Sequence, residues 1–74
     1  MFWVLVHAHH AKGPYGADHL VVNDPLKDIA ELDGVLIVNA QPTERARRAR
    51  TLIYPAGEWT KVTVIEARNP GGLS

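Results

Sequence analysis

Two uninterrupted apolar runs constrain the fold of this chain more than any other feature. The first begins at Phe2 and reads FWVLV, and the second begins at Val35 and reads VLIV. Runs of this length that are rich in β-branched residues are typical of strands covered on both faces. We therefore expect both runs to be central strands that lie side by side in the middle of one sheet.

Length and the absence of cysteine limit how such a sheet is stabilised. The chain has 74 residues and no cysteine, which predicts a single domain with neither disulfides nor a thiolate metal site. A chain this small buries more apolar surface by pairing with a second copy, so we expect a homodimer. The apolar stretch after Met1 is too short for a signal peptide or a membrane span, which predicts a cytoplasmic protein without a membrane partner.

The segment NDPLKDIAELDG, residues 23–34, carries the best helix signal. Asp24 or Asn23 can cap the free amide groups, Pro25 suits the first helical position, and Gly34 can end a helix in the left-handed conformation. We expect a helix at 25–33. A second helix at 43–50 and an extended strand through the same residues are both compatible with the sequence.

The last third of the chain predicts a hairpin at 50–67. Pro55, Ala56 and Gly57 fit a three-residue turn with glycine in the left-handed position. The register expected from this turn sets Tyr54 opposite Glu58, Ile53 against Trp59 and Leu52 against Thr60.

These elements define an α+β fold, small and mostly antiparallel, with four or five strands in one sheet and one or two short helices. The domain is expected to span residues 1–68, including a short strand at 19–22 that can pair with the first strand. Residues 69–74, NPGGLS, are expected to form a flexible tail.

Three histidines fall within four positions, at His7, His9 and His10, and His19 follows. On a strand His7 and His9 share a face, and His-x-His is a possible zinc-ligand pair that needs a third ligand such as His19. No diagnostic ligand spacing supports such a site. We therefore favour a structural role for the histidines and expect no metal and no cofactor, with His7, His9 and His19 as the ligands if a metal does bind.

Four arginines, Arg45, Arg47, Arg48 and Arg50, form a compact basic cluster in a chain of zero net charge. Arginine binds phosphate and carboxylate through two parallel donors. The cluster can therefore hold a nucleic-acid backbone or the acidic surface of a protein partner. Alternatively, it pairs within the molecule with the acidic segment 18–33.

Tyr15 is flanked by Gly13-Pro14 and Gly16, at what we expect to be an exposed loop tip. An aromatic side chain in that position can anchor a protein partner. The only serine is Ser74, and there is no cysteine, which argues against acyl transfer by either nucleophile. We expect no catalytic residues and favour a non-enzymatic, homo-oligomeric protein-binding module that uses Tyr15 and the arginine cluster; regulators and phage-encoded modulators include chains of this size.

Overall fold

The computed structural model describes residues 1–44 and 46–66 as two three-stranded sheets. Sheet I has the strand order β2-β1-β6 and sheet II the order β3-β4-β5, and every strand pair in the described residues is antiparallel. A 3-10 turn (Pro14–Gly16) and a four-residue helix, α1 (Pro25–Asp28), lie between strands. The six strands are β1 (Phe2–Ala8), β2 (Ala17–Val22), β3 (Ile29–Leu32), β4 (Val35–Ala40), β5 (Arg50–Tyr54) and β6 (Trp59–Glu66).

Both apolar runs are central strands, as predicted, but they belong to different sheets. Strand β1 is flanked by β2 and β6, and β4 is flanked by β3 and β5. The prediction of one sheet with four or five strands is therefore wrong. A strand has only two edges, and here each run pairs with two neighbours of its own, so the runs meet across the core and not edge to edge.

The core lies between the inner faces of the two sheets. Alternate residues of β1 and β4 point into it, because successive side chains of a strand alternate between faces. The side chain of Trp59 in sheet I donates from Nε1 to the carbonyl oxygen of Gly34, in the turn between β3 and β4 of sheet II, at 2.7 Å. The buried core residues are Val4, Val6, Leu20, Val22, Leu36, Val38, Ala40 and Tyr54.

The helix predicted at 25–33 is shorter than expected and ends at Asp28. The side chain of Asp24 caps it as predicted, accepting from the Leu26 amide at 3.0 Å. The Asp28 carboxylate then turns back to the amide groups of residues 23 and 24, and Ile29 starts β3. Strand β3 forms a hairpin with β4 and is not predicted from the sequence.

The helix alternative for 43–50 is wrong for the part that the structure describes. Thr43 and Ala46 close a turn through a backbone bond of 2.7 Å and a bond from the Ala46 amide to Thr43 Oγ1 of 3.0 Å. The strand alternative holds only from Arg50 onward, where Arg50 and Leu52 share the inner face of β5. Arg45 lies outside the described residues.

The turn predicted for the hairpin at 50–67 is present, but the strand pairing is wrong. The Glu58 amide donates to the Pro55 carbonyl at 3.0 Å, and Gly57 has φ 87°. The two strands nevertheless part after the turn, since β5 pairs with β4 and β6 pairs with β1. By leaving β5, strand β6 sets Val62 and Val64 beside the two buried valines of β1.

The end of the predicted hairpin, the domain boundary at 68 and the tail 69–74 lie outside the described residues. Among residues 1–44 and 46–66, no helix is long and apolar enough to cross a membrane.

Candidate functional site

A groove of about 690 Å³ runs along the free edge of β2. Its apolar surface comes from Trp3, Leu20 and Leu52, and Thr43, Glu44 and Ala46 also line it. The charged and titratable side chains that line it are Lys12, Asp18, His19, Glu44 and Arg50. We call this feature the β2 groove.

Asp18 lines the groove, and both of its carboxylate oxygens already accept hydrogen bonds. Asp18 pairs with Val6 of β1, and its side chain, like that of Val6, is on the inner face of sheet I. The Tyr54 hydroxyl donates to Asp18 Oδ2 at 2.8 Å and the Lys12 amide to Oδ1 at 3.3 Å. Burial, followed by the hydrogen bond and the negative charge of Asp18, raises the pKa of Tyr54 well above its ordinary value, while Arg50 opposes the shift. The Tyr54 hydroxyl is therefore held protonated as a donor that joins the two sheets.

The basic residues border the groove without acidic partners. Arg50 and Lys12 line it, and Arg47 and Arg48 are exposed between the lining residues Ala46 and Arg50. Within residues 1–44 and 46–66, no carboxylate lies within 4.0 Å of an arginine or lysine nitrogen. The alternative in which the arginines pair with the acidic segment 18–33 is therefore not realised in the described part of the chain.

Tyr15 occupies an exposed loop tip, as predicted. Its side chain is 91% exposed, and its backbone lies in the left-handed region at φ 61° and ψ 23°. A bulky side chain in that region costs about 1–2 kcal/mol relative to the ordinary right-handed conformation. Such local strain often accumulates at binding sites.

The histidines do not form the arrangement expected of a His-x-His metal pair. Strand β1 ends at Ala8 after a bulge between His7 and Ala8, so His9 lies beyond the strand and does not share a face with His7. Residues 9 and 10 turn instead toward Glu58, through the His9 amide at 3.0 Å and His10 Nε2 at 3.7 Å. No group of three His, Asp or Glu side chains in the described residues is placed to hold a metal ion.

His19, on β2, lines the β2 groove. Its ring Nε2 lies 3.3 Å from the Pro14 carbonyl oxygen, which holds the imidazole against the loop before β2. The sequence predicts a structural role for His19, with metal ligation as the alternative, and does not predict a place in a groove. His19 lies beside a free strand edge because β2 is the outer neighbour of β1. No local sequence pattern predicts this strand order.

The edge of β2 that faces away from β1 is partly capped by the chain itself. The Ala17 amide donates to the Pro14 carbonyl, and the Val21 carbonyl accepts from the Gln41 amide at 2.7 Å. Comparison of the chain with protein-family models, curated proteins and solved structures finds no match. The assignment of a function therefore depends on the geometry of this groove.

Proposed function

We propose that this chain is a small non-enzymatic protein-binding module whose contact surface is the β2 groove, with Arg47 and Arg48 beside it and Tyr15 at the neighbouring loop tip. The observation that supports this proposal most directly is a groove that combines an apolar surface with basic side chains that form no ion pair within residues 1–44 and 46–66. Apolar surface supplies most of the binding free energy, while charged groups at the rim set the rate and the specificity of association.

The arrangement suits a protein ligand better than a reacting small molecule. In the groove, the Asp18 carboxylate is already bonded to the Tyr54 hydroxyl and to the Lys12 amide. Its oxygens hold the sheets together, so they are poorly placed for proton transfer. Cytoplasmic action and self-association, both predicted from the sequence, remain parts of this proposal.

A second candidate is nucleic-acid binding by the same basic surface. It is favoured by Arg47, Arg48 and Arg50, which make no ion pair with the described acidic residues, and by the half-exposed Trp3 in the same groove. Guanidinium groups bind phosphate, and an aromatic ring can stack on a base.

A selection experiment tests the proposal. Random peptides of about twelve residues are selected on the wild-type chain, and the affinity of the enriched peptides is measured by fluorescence polarisation. The double variant Arg48→Ala/Arg50→Ala should weaken binding by about tenfold or more. The matched control Lys27→Ala/Lys61→Ala removes two charges outside the groove and should change affinity by less than about threefold.

The proposal fails if no peptide is enriched, or if both double variants weaken binding equally. Binding of single-stranded oligonucleotides, with an affinity that falls steeply as salt increases, would support the second candidate in its place.

A further inference from the structure

We infer that the β2 groove takes an extended acidic segment of a partner protein as an added strand, paired with β2 at His19. This inference rests on the proposed function and adds the class of partner and the mode of recognition. Adding a strand to a free sheet edge is a common way to bind an extended peptide: the backbone bonds supply affinity, and the alternating side chains supply specificity.

The backbone of β2 offers a free hydrogen-bonding position at His19. In an antiparallel pair, every second residue directs both its N–H and its C=O away from the neighbouring strand. The Ala17 amide and the Val21 carbonyl bond to groups outside β1, so the odd-numbered residues of β2 are the ones that point outward. His19 lies between them and follows the same pattern.

The free position has defined limits on both sides. At one side Gly13 packs against the Ala17 carbonyl so closely that a Cβ at residue 13 would collide with that oxygen. At the other side Gln41 already occupies the Val21 carbonyl. Among the described residues, no backbone bond of this outward kind involves His19. One residue of an added segment can therefore exchange two hydrogen bonds with His19.

The side chains around this position indicate the chemistry of the partner. Lys12 and Arg50 line the groove, and Arg47 and Arg48 lie next to it, against the two acidic residues Asp18 and Glu44. The four basic side chains outnumber the two acidic ones, so the groove and its border carry a net positive charge. The apolar side chains of the groove, Trp3, Leu20 and Leu52, favour apolar residues at alternate positions. The expected ligand is a segment in which acidic and apolar residues alternate.

A peptide of about seven residues in which glutamate alternates with valine is a suitable probe. Two N-methylated forms, one with every glutamate amide and one with every valine amide blocked, remove donors from opposite edges of the same extended chain. Strand addition predicts that one form binds about tenfold more weakly than the parent, while the other changes by less than about threefold. A lysine-valine peptide of the same length should bind at least about tenfold more weakly than the glutamate-valine one.

Amide hydrogen exchange by NMR supplies a readout on the unmodified protein. In the free chain the His19 amide should exchange faster than that of Leu20, which points toward β1. Saturating glutamate-valine peptide should slow the His19 amide by about tenfold or more while leaving Leu20 little changed.

The outcomes separate this inference from the proposed function. If selected peptides bind and depend on Arg48 and Arg50, but both N-methylated probes bind equally or the His19 amide is not protected, strand addition is overturned and the binding module stands. If neither the selected peptides nor the glutamate-valine probe binds, both are overturned.

Discussion

The Tyr54 hydroxyl is a side-chain donor that joins β5 to β2, and its bond to Asp18 Oδ2 is 2.8 Å long. Tyr54→Phe removes this bond but keeps the ring that packs in the core. Because the acceptor is a carboxylate in a partly buried position, the free energy of unfolding should fall by about 1–2 kcal/mol. Urea denaturation followed by circular dichroism measures this change, and Tyr15→Phe, which alters an exposed phenol, should leave stability within about 0.5 kcal/mol of wild type.

The same residue predicts how stability depends on alkaline pH. The pKa of Tyr54 is raised above its ordinary value of 10.0 in the folded state, first by burial and then by Asp18. The unfolded chain therefore loses this proton first as the pH rises, and the free energy of unfolding decreases above pH 10. Between about pH 9 and about pH 11, wild type should lose more stability than Tyr54→Phe. Parallel curves for the two proteins would contradict the assignment.

The strained backbone at Tyr15 predicts that a substitution that relieves the strain raises stability and weakens binding. Asparagine tolerates the left-handed region much better than a bulky aromatic residue does. Tyr15→Asn should therefore raise the free energy of unfolding by about 0.5–1 kcal/mol and weaken binding of the selected peptides. An unchanged affinity would remove Tyr15 from the contact surface.

At the scale of secondary-structure elements, the β3–β4 hairpin depends on its two-residue turn. Asp33 and Gly34 both have positive φ, at 52° and 84°, which is the geometry of a type I′ turn. A Cβ at residue 34 would also lie 3.0 Å from the Cβ of Ala56. This turn holds the Gly34 carbonyl in place as the acceptor for Trp59.

Gly34→Ala should therefore destabilise the chain more than Gly57→Ala. Both residues have similar φ, but a Cβ at Gly57 meets nothing within 4 Å. We expect a loss of about 1–2 kcal/mol at Gly57 from backbone strain alone and a further loss at Gly34 from the contact with Ala56. Equal melting temperatures for the two variants would show that the contact contributes nothing.

The elements that the sequence predicted correctly are those with a strong local signal. Each of these signals depends only on residues close together in sequence. They are the continuous apolar runs of β1 and β4, the cap at Asp24 and the turn at Gly57. The helix predicted at 25–33 is too long because the pair Asp33-Gly34, which can follow a helix, also indicates a hairpin turn. A helix end and a hairpin turn both place Gly34 in the left-handed conformation. The residue types at this position therefore do not distinguish the two structures.

The pairing of strands could not be predicted in the same way, because it is decided by contacts between residues far apart in sequence. Nothing near Pro55 shows that β6 leaves β5 for β1. The β2 groove follows from that choice, since a groove beside β2 requires β6 on the other side of β1. The local sequence predicts Arg50 and Tyr15 as contact residues, whereas Trp3 and the backbone of His19 enter the proposed surface only through the fold.

At the scale of the whole molecule, the outer face of sheet II is an uncovered apolar surface that fits the predicted self-association. Ile37 lies between Ile53 of β5 and Ala30 of β3, opposite the face that forms the core. Two of its large side chains are well exposed, Ile53 at 63% and Leu32 at 69%. A second copy packed on this face would cover them.

Sedimentation equilibrium tests this prediction. Wild type should show concentration-dependent association that Ile53→Lys abolishes, because a charge at the centre of an apolar contact is costly to desolvate. Leu26→Lys, at a side chain that is 94% exposed on α1 and outside this face, should leave association unchanged. A wild-type chain that is monomeric at all concentrations would contradict the homo-oligomer.

The groove, the free edge at His19 and the outer face of sheet II all depend on two sheets that pack inner face to inner face. The indole proton of Trp59 reports this arrangement directly, because it bonds to the Gly34 carbonyl in the β3–β4 turn of sheet II. Nuclear Overhauser spectra should show contacts from this proton to Gly34 and Val35. Contacts from the Trp59 ring to Ile53 in their place would restore a β5–β6 hairpin and contradict the two-sheet fold.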